Sequence, residues 1–211
     1  HGLPWDTSEA RWFGAGLLPG PIVDWFSNGG RSAVVEVRHD AYRVSPAHDF
    51  GLTRRDNGPL EATVRIGSAV VASLGTGFRG RLEEWRKYGV DEPRSETTWQ
   101  WSEVKKVVLT RTYGRDASGS VKEVTDSDLA SPGCDIELAS ISAEESRAAW
   151  TFALEAWGPA DTRRQLLGSA LAALAAQTSP IPATFVKDLD LSMGYPEWLA
   201  SVVWGERLAS I

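Results

Sequence analysis

Val35-Glu36-Val37-Arg38-His39-Asp40-Ala41-Tyr42 alternates along its length. Val35, Val37 and Ala41 point one way, and Glu36, Arg38, Asp40 and Tyr42 point the other, as successive side chains of a β-strand do. Downstream, Ser45-Pro46 marks a turn and residues 52–55 a short strand. Asp56-Asn57-Gly58 marks a second turn, after which residues 60–66 alternate again. Leu60, Ala62, Val64 and Ile66 share one face there, with Glu61, Thr63 and Arg65 on the other, so residues 52–66 read as a hairpin. Residues 79–90 repeat the pattern, with Arg79, Arg81, Glu83, Trp85 and Lys87 on one face. Residues 99–113 form a long β-branched and aromatic run carrying Lys105, Lys106 and Arg111, followed by a polar turn at 114–119. Residues 134–141 and 150–157 are the last two strands, joined by a loop at 142–149.

After Pro159 the period changes. Asp161 is placed to cap a helix over residues 162–178, whose stripe of Leu166, Leu167, Ala170, Leu171 and Leu174 packs on the sheet. Ser179-Pro180 ends it. Tyr195-Pro196-Glu197-Trp198-Leu199 reads as a cover segment or a second short helix. Upstream, residues 1–30 are rich in Trp, Gly and Pro. Pro21 suits a first helical turn that Asn28-Gly29-Gly30 ends. Trp5, Trp12, Phe13, Trp25 and Phe26 need covering, so this region is expected to be an N-terminal flap packed on the sheet; an exposed aromatic patch is the rival reading. Gly75-Thr76-Gly77 reads as a loop. Strands followed by a helix, with no β-α-β alternation, indicate an α+β fold on an antiparallel sheet.

The bulk numbers fit one domain spanning residues 1–211, with its core at about 31–178. The chain has 211 residues, 42% of them hydrophobic and 24% charged, with a net charge of -6. That balance offers no general attraction to nucleic acid or anionic lipid. Cys134 is the only cysteine, so an internal disulfide and zinc-finger spacing are excluded. A small buried thiol is its ordinary role. No run approaches the ~20 apolar residues of a membrane span. The start at His1 shows no basic region followed by an apolar run, so no signal peptide and a cytoplasmic location are expected.

The charged face of the strands gathers Glu36, Arg38, Asp40, Arg54, Glu61, Arg65, Arg81, Glu83, Lys87, Lys106, Arg111, Glu137 and Glu155. Two explanations stand side by side. An antiparallel sheet often keeps one wet side. Alternatively, the sheet closes into a barrel of about eight strands whose interior holds a small ligand. Inside such a barrel, charges must pair with each other or with a ligand. Arg and Lys suit phosphate, and carboxylates suit Mg²⁺ or Mn²⁺. The chain carries no P-loop, no G-x-G-x-x-G after a strand, no H-E-x-x-H and no G-x-S-x-G.

Taken in order, several pieces resemble a small bacterial group within the CYTH superfamily, the triphosphate tunnel metalloenzymes. They are Glu36-x-Arg38-x-Asp40-x-Tyr42, Gly51-Leu52-x-Arg54-Arg55, Leu60-Glu61-x-x-Val64-Arg65, Glu83-Glu84-Trp85-Arg86-Lys87, Val104-x-Lys106, Gly133-Cys134-x-x-Glu137-Leu138, Phe152-x-x-Glu155-Ala156-x-Gly158 and Tyr195-Pro196-x-Trp198-Leu199. The resemblance implies an eight-stranded antiparallel tunnel with charged walls that binds triphosphate compounds and often hydrolyses them with a divalent metal. The family's hallmark is Glu-x-Glu-x-Lys on the first strand. Glu36-x-Arg38-x-Asp40 departs from it, losing a carboxylate and gaining a positive charge.

The resulting expectation is a phosphorylated anionic small molecule held in the tunnel, with metal-dependent triphosphate or polyphosphate hydrolysis as its chemistry. Arg38, Arg54, Arg65, Arg81, Lys87, Lys106 and Arg111 would contact phosphate oxygens. Glu36, Glu137 and Glu155 would hold Mg²⁺ or Mn²⁺ or orient water. The alternatives are a non-catalytic scaffold or interaction domain, and a calycin-like barrel for an apolar ligand, against which the polar face counts.

Overall fold

The computed structural model describes residues 4–28, 33–56, 58–90, 99–116, 118–125, 132–143, 148–178, 180–182, 185 and 191–204. Asn57, Gly29, Gly30, Ser179 and residues 144–147 of the expected loop lie outside this set. The alternating stretches fold as strands. They are β1 (Trp5–Ala15), β2 (Val34–Arg43), β3 (Phe50–Arg55), β4 (Leu60–Arg65), β5 (Val70–Gly75), β6 (Phe78–Val90), β7 (Trp101–Arg115), β8 (Val121–Val124), β9 (Gly133–Ala143), β10 (Ala149–Trp157) and β11 (Leu191–Ser192). Eight of them form a closed antiparallel barrel in the order β1-β10-β9-β7-β2-β3-β4-β6, with β6 returning to β1. β5, β8 and β11 extend β6, β7 and β1 outside that ring. Closure removes the unpaired sheet edges along the wall.

Helical pieces among the described residues include α1 (Gly20–Ser27), α2 (Ala160–Gln177), and α3 (Tyr195–Trp198), which runs into a π-helical turn (Leu199–Val203). α2 lays Leu166, Leu167, Ala170, Leu171 and Leu174 on the outside of the barrel, and α1 adds Ile22, Trp25 and Phe26. They cover Trp12, Ile136, Leu138, Trp150, Phe152 and Leu154, the outward residues of β1, β9 and β10. Phe185 sits among these aromatics, 5.0 Å from the ring of Phe152 and 5.2 Å from that of Trp25. The hydrophobic core is therefore wrapped around one side of the barrel. Cys134 lies in it, and burial raises its thiol pKa well above the ordinary value.

Residues 1–30 correct the expected flap. Only α1 is a cover; Trp5–Ala15 is a wall strand, paired with β10 on one side and β6 on the other. The aromatic residues needed covering because β1 is buried on both faces. Asp161 lies in the first turn of α2, but the N-cap position is Pro159. Gly75-Thr76-Gly77 is the tight turn of the β5–β6 hairpin, with all three residues at positive φ (84°, 51° and 87°), the geometry for which glycine is favoured.

The C-terminal segment seals one end of the barrel. Trp198 stacks on Phe13 (4.7 Å, 4°) and Tyr195 stacks on Tyr42 (5.0 Å). Leu199 and Trp204 join Val104, Ile141, Ala143 and Ala149 in the same cluster. Phe13, Tyr42, Val104 and Ile141 are lumen-side positions, so residues 195–204 act as an aromatic plug.

Candidate functional site

Strand parity decides which charges face inward. On β2, Arg38, Asp40 and Tyr42 face the lumen, whereas Val35 and Val37 are outside and 63% and 58% exposed. The strand is inside-out relative to an ordinary half-buried one. The lumen holds a cavity of about 170 Å³, lined by charged residues of both signs and closed at the plug by Tyr195, Leu199 and Trp204.

One side of the lumen is acidic. In register, Glu83 (β6) pairs with Glu9 (β1), Glu9 with Glu155 (β10), and Glu155 with Asp135 (β9), so four carboxylates form one cross-strand row. Lys87 reaches this row from β6. Its Nζ stands 3.0 Å from Glu9 Oε1 and donates to Glu155 Oε1. Burial opposes the charges of Lys87, Glu9 and Glu155. At Lys87, Glu155 and Glu9 outweigh burial and raise the pKa above the ordinary lysine range. At Glu9, Lys87 and Arg11 outweigh burial and lower the pKa. At Glu155 burial wins, helped by the neighbouring Glu9 charge, and the pKa is raised. Thr112 donates to Asp135 (2.7 Å), and Arg11 faces Glu137 at 3.8 Å.

The other side is basic. Asp40 is wholly buried and holds Lys106 Nζ at 2.7 Å and Arg38 Nε at 3.0 Å, while Tyr42 donates its hydroxyl proton to it (3.1 Å). Lys106 also donates to Tyr42 Oη and lies over the rings of Tyr195 (4.1 Å) and Tyr42 (4.9 Å). Burial lowers the Lys106 pKa to about 7; Arg38 and Arg11 push it the same way, and Asp40 offsets only part. Asp40 keeps a lowered pKa because Lys106 and Arg38 together overcome its burial. Arg55 pairs in register with Asp40 and stands 3.7 Å from Glu61. β3 lies opposite β10 around the ring, and Arg55 is stabilised in its charged form by Glu155 and Glu137 as well as by Glu61.

Of the residues expected from sequence, Arg38, Lys87, Lys106, Glu137 and Glu155 line the cavity. Glu36 shares their face but is 55% exposed, 3.8 Å from Arg38, outside the cavity lining. Arg65 and Arg81 turn to Glu83 and to Glu197 of the plug, at 3.2 Å and 2.8 Å, and also lie outside the lining. Arg54 and Arg111 are corrections. Arg54 has outward parity and lies over the Trp101 ring at 5.5 Å. Arg111 is held outside the barrel by Glu123 (2.7 Å), the Phe26 carbonyl and Gln177 of α2. Each is one residue out of phase with the lumen face. Sequence reading missed Glu9 and Arg11, because β1 was assigned to a flap, and did not rank Asp40, Arg55 or Tyr195 as site residues.

The carboxylates do not fit a resident divalent ion. Glu9 and Glu155 share the Lys87 ammonium, Glu137 faces Arg11, and among the described residues no three His, Cys, Asp or Glu side chains are grouped to hold a metal. Among those residues, too, no helix is long and apolar enough to cross a membrane. No protein-family model matches the chain, and no curated protein matches it.

Proposed function

We propose that the barrel binds a small phosphorylated anion between Arg38, Lys106 and Arg11. The observation that carries this reading is the convergence of Arg11 and Lys106 on the Tyr195 ring, at 5.6 Å and 4.1 Å from its centroid, with Arg38 beside the same Asp40 that holds Lys106. Among the described residues, the buried carboxylate beside both Arg38 and Lys106 is Asp40, while Arg38 stands 3.8 Å from the exposed Glu36 and Arg11 3.8 Å from Glu137, both beyond hydrogen-bonding distance. Buried like charges raise each other's energy, and an anion relieves that. Guanidinium forks match phosphate oxygens in pairs, and Lys adds a point charge. The cavity of about 170 Å³ is smaller than the roughly 300–1,000 Å³ of drug-sized pockets, which favours a compact polyphosphate or the phosphoryl end of a larger ligand. The ordered likeness to the triphosphate tunnel enzymes supports the same ligand class.

Phosphoryl hydrolysis is the second reading, and Glu155 is the observation that favours it. It faces the cavity, retains 24% side-chain exposure, and burial raises its proton affinity, so it can hold a proton for a leaving oxygen. Titration calorimetry with tripolyphosphate, on wild type and on Arg38→Gln, tests the binding claim. One-to-one binding that falls at least roughly tenfold in the variant is expected, since a charge-assisted pair contributes about that much. No binding, with no thermal shift from any phosphorylated ligand, returns the barrel to a scaffold role. Phosphate release from tripolyphosphate, lost in Glu155→Gln, separates hydrolysis from binding alone.

A further inference from the structure

Four carboxylates in one cross-strand row are an unstable arrangement by themselves. Glu9 and Glu155 stand directly opposite one another on adjacent strands, with Glu83 and Asp135 as the next members. Like charges so placed repel, and burial makes the repulsion stronger. Glu83 has Arg65 at 3.2 Å and Arg81 at 3.5 Å; the central pair, Glu9 and Glu155, needs a cation of its own. Phosphate-handling sites commonly use a divalent ion for this, joining wall carboxylates to phosphate oxygens. Here Lys87 is in that place. Its side chain is 6% exposed, and its ammonium sits 3.0 Å from Glu9 Oε1 and donates to Glu155 Oε1. Lys87 belongs to β6 and the two glutamates to β1 and β10, so three wall strands fix the arrangement.

We propose that Lys87 is a built-in counter-cation: it fills the space between Glu9 and Glu155 that a divalent ion would occupy, and so makes anion binding in this barrel independent of metal. A divalent ion must contact carboxylate oxygens at roughly 2.0–2.6 Å. It cannot do so while a lysine ammonium is bonded to the same oxygens. The compact ammonium on a flexible four-carbon stem is the side chain best suited to stand in for an ion. The part concerning phosphorylated anions rests on the function proposed above; the part concerning metal exclusion does not.

Two measurements keep these apart. Manganese alone is titrated into wild type and Lys87→Met, followed by calorimetry and by the electron spin resonance of free Mn²⁺. Met keeps the length of the side chain and removes its charge. The variant is expected to bind Mn²⁺ at least roughly tenfold more tightly than wild type and to gain thermal stability from it, whereas wild type gains none. Equal Mn²⁺ affinity in the two proteins overturns the proposal. If Lys87→Met does not fold, wild type still decides: tripolyphosphate affinity that is the same with chelator and with added Mg²⁺ supports the proposal, and affinity that requires Mg²⁺ overturns it. A wild type that binds no phosphorylated anion under either condition refutes the proposed function, while the Mn²⁺ titration continues to test Lys87.

Discussion

Replacing Asp40 by Asn removes the one carboxylate that Arg38 and Lys106 share inside the barrel. Asp40 is fully buried, with Lys106 Nζ at 2.7 Å and Arg38 Nε at 3.0 Å. Breaking a buried ion pair by removing one partner costs about 3–5 kcal/mol, because the other charge is left uncompensated. For a chain of 211 residues, each kcal/mol shifts the melting temperature by roughly 2–4 °C, so Asp40→Asn should melt ~6–20 °C lower. The protein has one escape, which is to release the proton of Lys106. That pKa already stands at about 7 in wild type, against about 10.4 in an unfolded chain, and loss of Asp40 lowers it further. The unfolded state then binds more protons than the folded one across this window, so stability rises with pH there. Below pH ~7 Lys106 is charged in wild type and the substitution costs its full amount; above it Lys106 is neutral and only the Arg38 contact is lost. Equilibrium urea unfolding at about pH 6 and about pH 9 measures both. The double variant Asp40→Asn/Lys106→Met should be less destabilised at the lower pH than the single losses add up to, by about 0.5–3 kcal/mol of coupling. A cost below about 1 kcal/mol near pH 6, or strict additivity of the two substitutions, refutes the shared-carboxylate account.

Anion affinity should fall as pH rises through about 7, where Lys106 loses its proton; calorimetry with tripolyphosphate across that range, in buffers of different ionisation enthalpy, should also show proton uptake on binding. Arg54→Gln should leave tripolyphosphate affinity within about twofold of wild type, because Arg54 lies outside the barrel over Trp101; a loss matching that of Arg38→Gln would put the site elsewhere. Gly14→Ala should destabilise by about 1–3 kcal/mol in chemical unfolding, because its Cβ would lie 2.1 Å from the buried ring of Trp150, its cross-strand partner.

Alternation made most strands legible. The hairpin read at residues 52–66 is β3–β4, the run at 99–113 is β7 displaced by two residues at both ends, and the helix after Pro159 carries the expected leucine stripe. β1 was not legible, for a physical reason. In Thr7-Ser8-Glu9-Ala10-Arg11-Trp12-Phe13 both faces are buried: Ala10 and Trp12 under the helices, Phe13 under the plug, Glu9 and Arg11 against their lumen partners. A strand buried on both faces loses the apolar–polar contrast that marks an amphipathic one. The first barrel strand therefore carries Thr7-x-Glu9-x-Arg11 on its lumen side, and Glu36-x-Arg38-x-Asp40 belongs to the second strand in sequence, halfway around the ring.

The site was half legible because charge identity is visible in a sequence and charge direction is not. Lys106 and Arg111 sit on one strand five positions apart, so a period of two must send one inward and the other outward; grouping them by charge hid this. The same rule separates Arg54, which leans on Trp101, from Arg55, which senses Glu155 and Glu137 across the lumen. Parity alone still leaves the sign of the choice open, since either face could be the inside. Burial settles it here. β2 turns three exposed valines, Val34, Val35 and Val37, toward solvent or the strand's outer end while Asp40 is sealed within. A buried carboxylate is tolerable only beside Arg38 and Lys106, so the identity of its neighbours two residues away and across the strand pair dictates which way the whole strand must face.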